Sequence, residues 1–215
     1  TLPTIDMSNT ERAPLLTKYR SYLGMINWLA SSTRPDLTTA HSLLAIATAA
    51  PTPAHLDAIR YVGRYIKATA DYGITFCSDT NDTLEGFLTF PLDDYDPVRP
   101  KPKAFADSNW GPQDASTPTP TPKNTREVPI NETRSIAGHL VFLSGGPLIW
   151  KSQKEKHTSR SSCEAEVKAT DECTRSVQWL RNVLTDLDLC PTDPTPIYND
   201  NQVAVLWSKI SSTNG

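Results

Sequence analysis

The chain has 215 residues and a formal net charge of −3, long enough for one large domain or two small ones with a real core. That balance excludes a global basic footprint, so a nucleic-acid partner would have to be met by local patches. The longest apolar run, residues 43–50, is too short to span a bilayer, the N-terminus lacks a basic-then-apolar signal pattern, and the four cysteines form no Cys-x-x-Cys pair; a soluble, intracellular protein without a membrane partner, with reduced thiols and no zinc site, is expected.

Residues 1–14 show no periodicity and read as an extended lead-in. From Leu15 onward, Tyr19, Tyr22, Leu23, Ile26 and Leu29 recur at helical intervals, and Arg34-Pro35 ends the pattern because a residue before proline resists helical dihedrals. Asp36 is placed to cap a second helix through Leu43, Leu44 and Ile46, closed by Pro51 and Pro53. A third runs from about Pro53 to Ala70 with Leu56, Ile59, Val62 and Ile66 on one face. Residues 15–72 therefore form a small helical module. On the third helix Arg60, Arg64 and Lys67 fall at i, i+4 and i+7 among Tyr61 and Tyr65, either an ordinary solvated face or a rail for a phosphate backbone.

Residues 73–103 read as short strands, at 73–77 and 84–90, and a proline-rich linker: nine of the 18 prolines lie between Pro91 and Pro129, which rules out regular helix or central sheet there. Ala104 to Trp110 interrupts it as an apolar run ending abruptly at Asp107, as expected of a central strand whose polar end opens into a site. Residues 111–131 form a long loop that could be a lid, an insertion or disorder. Strands at 135–143 and 148–152 are joined across Ser144 to Pro147 as a hairpin. His139 in the first of them reads as structural or surface, since no second histidine is spaced to join it. Residues 151–160, with Lys151, Lys154, Lys156, His157 and Arg160, are the most basic window, either a solvated loop or an anion-facing segment.

Residues 161–187 read as one long helix, with Ser161 and Glu164 as a capping box. Ala165, Ala169, Cys173, Val177, Leu180, Val183, Leu184 and Leu187 form its core stripe. At about 100° per residue, Glu166 falls about 40° from the stripe's centre, and Glu164 nearly opposite. Burying a bare carboxylate costs several kcal/mol. Glu166 therefore has a cation, donor cluster or metal against it, or else sits at the exposed lip. Cys163 and Cys173 lie on this helix roughly 15 Å apart, beyond disulfide reach. Residues 196–200 read as a further short strand ending at Asp200, and a helix starts near Asn201.

Asp107 and Asp200 thus end two strands, and Glu166 lies on a core-facing helix stripe. Strands of an open sheet flanked by helices deliver such ends to one crevice. Three carboxylates there would repel, and oxygen-only ligation selects magnesium or manganese over zinc. Two such ions could stabilise both the attacking water and the leaving oxygen of a phosphodiester.

At these residues the chain resembles the C-terminal reverse transcriptase and ribonuclease H region of copia-type LTR retrotransposon Pol polyproteins. The resemblance covers most of the chain. Tyr19-Arg20-Ser21-Tyr22-Leu23-Gly24, Ser32-Thr33-Arg34-Pro35-Asp36-Leu37 and residues 51–55 and 60–67 are similar to the segment after the polymerase palm; residues 106–110, 133–138, 150–154, 161–166 and 200–205 are similar to the ribonuclease H blocks. The resemblance implies an α/β fold, a ribonuclease H-like mixed sheet flanked by helices over residues 104–215, preceded by a thumb or connection-like helical module. It implies Asp107, Glu166 and Asp200 as catalytic metal ligands, and magnesium, with manganese as a substitute, as two ions. The implied reaction is hydrolysis of the RNA strand of an RNA–DNA hybrid, leaving a 3′-hydroxyl. Arg60, Arg64, Lys67, Lys151, Lys154, Lys156, Arg160 and Gln202 would touch the hybrid, reading shape and 2′-hydroxyls. The rest of the polyprotein would be a partner, and the location cytoplasmic, in retroelement particles, or nuclear.

Two departures stand out. Asn109 occupies a place where the family often has a second aspartate, and the family's last strand and fourth carboxylate are missing before Gly215, so the fold is expected to be truncated at its C-terminal end. An integrase core also uses three carboxylates, but its glutamate comes last. The rival from another class is a catalytically incomplete or host-retained module that binds nucleic acid or serves structurally.

Overall fold

The computed structural model describes residues 9–76, 101–109 and 135–210. They fall into two compact units, one ending at Gly73 and the other beginning at Ile74. The expected strand at 84–90 and the 111–131 loop lie outside the described residues.

In the first unit, α1 (Asn9–Ser32), α2 (Thr38–Ala45) and α3 (Pro53–Ala68) close over a core of Tyr19, Leu23, Ile26, Ala30, Leu37, Leu56 and Ile59. Tyr19 is completely buried, and its hydroxyl donates to the Leu44 carbonyl at 2.6 Å, which keeps its polar tip satisfied inside that core. The extended lead-in is corrected at its end: the helix starts at Asn9, six residues before the apolar stripe. Helical hydrogen bonding does not require burial, and Glu11, Arg12 and Ala13 are good helix formers, so the turns run back through Pro14.

Asp36 is not the cap of α2. A 3₁₀ turn, Pro35–Leu37, precedes that helix, and no side chain caps it. Instead the Asp36 carboxylate takes a two-pronged bond from Arg34, at 2.9 and 2.8 Å, and another from the Tyr65 hydroxyl at 3.0 Å. A bidentate, charge-assisted pair is stronger than a neutral N–H bond at a cap. Arg34, only 5% exposed, also donates to the carbonyl and hydroxyl of Thr69 and lies against the rings of Tyr65 and Tyr72, so it ties the end of α1 to the end of α3.

In the second unit the strands are β1 (Lys103–Asn109), β2 (Ile136–Leu143), β3 (Gly146–Lys154) and β4 (Ile197–Tyr198), in the order β3-β2-β1-β4. The first three pair antiparallel and β4 joins β1 parallel, a mixed sheet. The β2–β3 hairpin turns on two residues, Ser144 and Gly145, both in the left-handed region (φ 49° and 75°) as a type I′ turn requires, so it is tighter than the expected 144–147 span. Gly146 is already in β3, and a Cβ there would come within 2.6 Å of both the Thr75 carbonyl and the Phe76 ring, so only glycine fits. Residues 73–76 make no strand, contrary to expectation.

Helix α4 (Ser162–Asp186) packs Cys173, Val177, Leu180 and Leu184 against Ala104, Ala106 and Val141; alanines on β1 let the helix approach closely. Leu187 leaves the expected stripe and is 60% exposed. The helix ends there in a Schellman cap: Asp188 takes φ 59°, its N–H bonds to the Thr185 carbonyl, and the Leu189 N–H bonds to the Leu184 carbonyl. Arg181 then holds the following loop through the carbonyls of Pro191 and Asp193, which brings the chain back as β4 and into α5 (Gln202–Ile210). Among the described residues no helix is long and apolar enough to cross a membrane.

Candidate metal centre

Asp107 stands near the end of β1, Glu166 in the second turn of α4, and Asp200 two residues past β4. Each offers a carboxylate oxygen, and these atoms all lie within 4.8 Å of one another. The cluster exists because the parallel register sets Tyr198 beside Phe105, so Asp200 and Asp107 each lie two residues further along, and the second turn of α4 reaches the same place through the bonds of Glu166 to Ser108 and Asn199. Ser161 fixes where α4 starts, its hydroxyl accepting from the Glu164 N–H at 3.1 Å. The return half of the expected capping box goes elsewhere: the Glu164 carboxylate accepts from the Arg160 N–H at 2.8 Å.

Asp107 and Asp200 are exposed; Glu166 is 5% exposed. Of the surroundings open to Glu166, the structure chooses a donor cluster: Ser108 N–H to Oε1 at 3.2 Å and Asn199 Nδ2 to Oε2 at 2.9 Å. Burial, the largest influence, raises the Glu166 carboxyl above the ordinary glutamate range; the bonds from Asn199 and Ser108 pull it down, and the charges of Asp107 and Asp200 reinforce burial. The donors are neutral, so the negative charge of the three acids is supported without being cancelled. One further polar atom, Ser108 Oγ, is buried beside the site with no hydrogen-bond partner. An all-oxygen, anionic donor set of this kind fits a hard divalent cation, magnesium or manganese, better than zinc.

The basic residues are distributed differently. Lys151 pairs with Glu172 of α4, and burial pushes the Lys154 ammonium down. Lys156, His157 and Arg160 are exposed in the segment leading into α4, and Gln202 is exposed at the start of α5. Arg60, Arg64 and Lys67 belong to the helical unit, where Arg60 pairs with Asp57 at 2.7 Å and Arg64 lies over the Tyr61 ring. His139 is structural: it is buried and shares a hydrogen bond of 2.9 Å with Ser176 Oγ. Cys163, Cys173 and Cys190 are free thiols, and burial pushes that of Cys173 up to about 11, so it is no nucleophile at neutral pH.

Spacing along the chain does not single out Asn199 or Ser108. The only local sign is their position, each directly beside a strand-ending aspartate.

The fold and site define an α/β protein whose mixed four-stranded sheet, flanked by helices and carrying three acids at one end, is consistent with a ribonuclease H-like fold. Over 94% of its length the chain is 28% identical to the retrovirus-related Pol polyprotein from transposon RE2 of Arabidopsis thaliana, and over 86% it is 29% identical to that from transposon RE1 of the same plant. It is also 28% identical, over 75% of its length, to the secreted RxLR effector protein 161 of Plasmopara viticola, 90% of which is matched. No family model and no solved structure matches. The chain is thus homologous over most of its length to Pol polyproteins of copia-type transposons, and spans about a tenth of the two it matches above (11% and 10%).

Proposed function

We propose that the sheet unit is a ribonuclease H that cuts the RNA strand of RNA–DNA hybrids within a retrotransposon reverse transcriptase. The observation that carries this reading is the meeting of Asp107, Glu166 and Asp200 within 4.8 Å, from three separate elements. In the reaction, water adds to phosphorus and the P–O3′ bond breaks, leaving a 3′-hydroxyl and a 5′-phosphate. Asp107, Glu166 and Asp200 would hold the divalent cations, two magnesium ions with manganese as a substitute. When bound, these supply Lewis-acid stabilisation of the charge that builds on the phosphoryl oxygens. Ser108 and Asn199 keep the Glu166 carboxylate oriented; exposed Lys156 and Arg160, at the threshold of α4, meet backbone phosphates, and Gln202 meets the hybrid from α5. The helical unit plays the thumb or connection-like part, with Arg60, Arg64 and Lys67 toward the duplex backbone and exposed Tyr61 among them.

The test is cleavage of an end-labelled RNA–DNA hybrid in magnesium and in manganese, beside Asp107→Asn and a single-stranded RNA control. Metal-dependent cutting of the hybrid alone, lost in the variant, is expected. Binding without cutting would instead favour a second reading, a non-catalytic module working outside a polyprotein. The similarity to the RxLR effector, matched over 90% of its length, supports only the part of that reading that places such a segment outside a Pol polyprotein.

A further inference from the structure

Strand β4 pairs with β1 through Ile197 and Tyr198 only, so the ladder stops before it reaches Asp200. The side chain of Asn199 continues it. Its Nδ2 donates to the Ala106 carbonyl at 3.2 Å, one residue beyond the last paired position of β1. The same nitrogen lies at 2.9 Å from Glu166 Oε2 and 3.2 Å from Thr170 Oγ1, so its two hydrogens serve three acceptors with one of them shared, while its Oδ1 accepts from the Asn201 N–H at 2.8 Å. The Thr170 hydroxyl gives its own proton to the Glu166 carbonyl at 2.9 Å, and so faces Asn199 as an acceptor. One amide thereby joins β1, α4 and the entry to α5 around the residue next to Asp200.

The geometry points to Asn199 as the positioning residue that sets Glu166 and Asp200 against Asp107 for a divalent cation; this rests on the metal-site reading above. The residue type suits the task. A lysine or arginine at this place would cancel the charge the cation needs, and an aspartate would repel Glu166. A neutral amide donates to the carboxylate while leaving its charge in place, and it substitutes for a ladder bond that the short strand does not make.

The test is a manganese titration of the full chain, with free Mn²⁺ followed by electron paramagnetic resonance, and with Asp107→Asn defining binding at the three acids. Thermal melts without metal run alongside. Asn199→Ala is expected to weaken Mn²⁺ binding about 10- to 100-fold, the usual cost of losing a group that orients a metal ligand. Thr170→Val, which removes one acceptor from the amide and a bond to the Glu166 main-chain carbonyl but none to its carboxylate oxygens, is expected to leave affinity unchanged. A purely structural Asn199 would lower the melting temperature of both variants and leave their affinities equal to wild type, which overturns the inference. If Asn199→Ala does not fold, Asn199→Ser keeps an acceptor for the Asn201 N–H, loses the reach to Glu166, and should show the same weakening. Wild-type binding at the three acids without hybrid cleavage would retire the proposed reaction and leave the role of Asn199 standing. No binding by wild type would overturn both.

Discussion

In the helical unit the buried charge is Arg34, and everything around it is complementary: the Asp36 carboxylate, the oxygens of Thr69, and the faces of Tyr65 and Tyr72. In the sheet unit Glu166 is buried just as deeply, but its nearest charged neighbours are two more carboxylates. The pKa directions follow. Burial would raise the Asp36 carboxyl, yet the bonds from Arg34 and Tyr65 hold it below the ordinary aspartate value. Burial raises Glu166, and its charged neighbours add to the rise. The first arrangement is complete in itself and serves as a lock; the second leaves like charges together, which under the proposed metal-site reading a cation would relieve. Glu155, the other buried acid among the described residues of the sheet unit, lies between the two cases: the Ser159 hydroxyl at 2.6 Å and the Lys168 ammonium at 3.8 Å meet one oxygen, while its Oε1 is buried without a hydrogen-bond partner.

The largest effect expected from this contrast is on catalysis. A bound metal contributes several kcal/mol to a phosphoryl transition state, and about 1.4 kcal/mol is a factor of ten. Asp107→Asn should therefore slow hybrid cleavage by on the order of a thousandfold, read as initial rates on labelled hybrid. The same variant should melt no lower than wild type without metal, because it removes a repulsion.

Next comes the lock. Arg34→Ala should destabilise the helical unit by about 2 to 3 kcal/mol, the scale of lost hydrogen bonds to a charged group. Urea unfolding would measure it, and hydrogen exchange should show the loosening in α1 and α3. An undiminished stability would mean that the network is ornamental.

Magnesium itself should raise the melting temperature of wild type and not of Asp107→Asn. The expected gain is about 2.7 kcal/mol at a hundred times the dissociation constant. An equal rise in both proteins would place the binding elsewhere.

A smaller, pH-dependent effect belongs to His139, whose imidazole is held below its ordinary value by burial and then by the charge of Lys151, with Glu172 opposing. Its folded pKa is depressed, so the unfolded chain takes up the proton first. Stability is therefore fully present above the unfolded histidine value, near 6.5, and is lost as pH falls through that value toward the folded one. Melts between pH 7.5 and pH 5, as roughly chosen to bracket that value, should show the decline in wild type and a shallower one in His139→Gln. The smallest change is Arg60→Ala, an exposed residue whose pair with Asp57 is worth under about 1 kcal/mol. Its effect should appear as a salt slope of hybrid binding reduced by about one.

What the sequence determined by itself is whatever depends on near neighbours along the chain. Period 3.6 apolar spacing marks α3 and α4, and the same wheel turns Glu166 inward and Glu164 outward, as observed. An apolar run broken by an acid marks β1, with Asp107 near its end. Tertiary structure decided the rest, because those choices depend on partners far away in sequence. The donors that hold Glu166 come from 58 and 33 residues away, and the carbonyl that anchors Asn199 from 93. Asp36 gave up a local cap for Arg34 once Thr69 and Tyr65 had closed around that guanidinium. Leu187 left the stripe for a local reason that spacing does not show, since the Schellman turn closes on Leu184 and Thr185 with Asp188, not glycine, in the left-handed region. Spacing along one element fixes which face a side chain presents; which group meets it there is set only when the elements pack, since a buried polar atom takes whichever donor or acceptor the fold brings within reach.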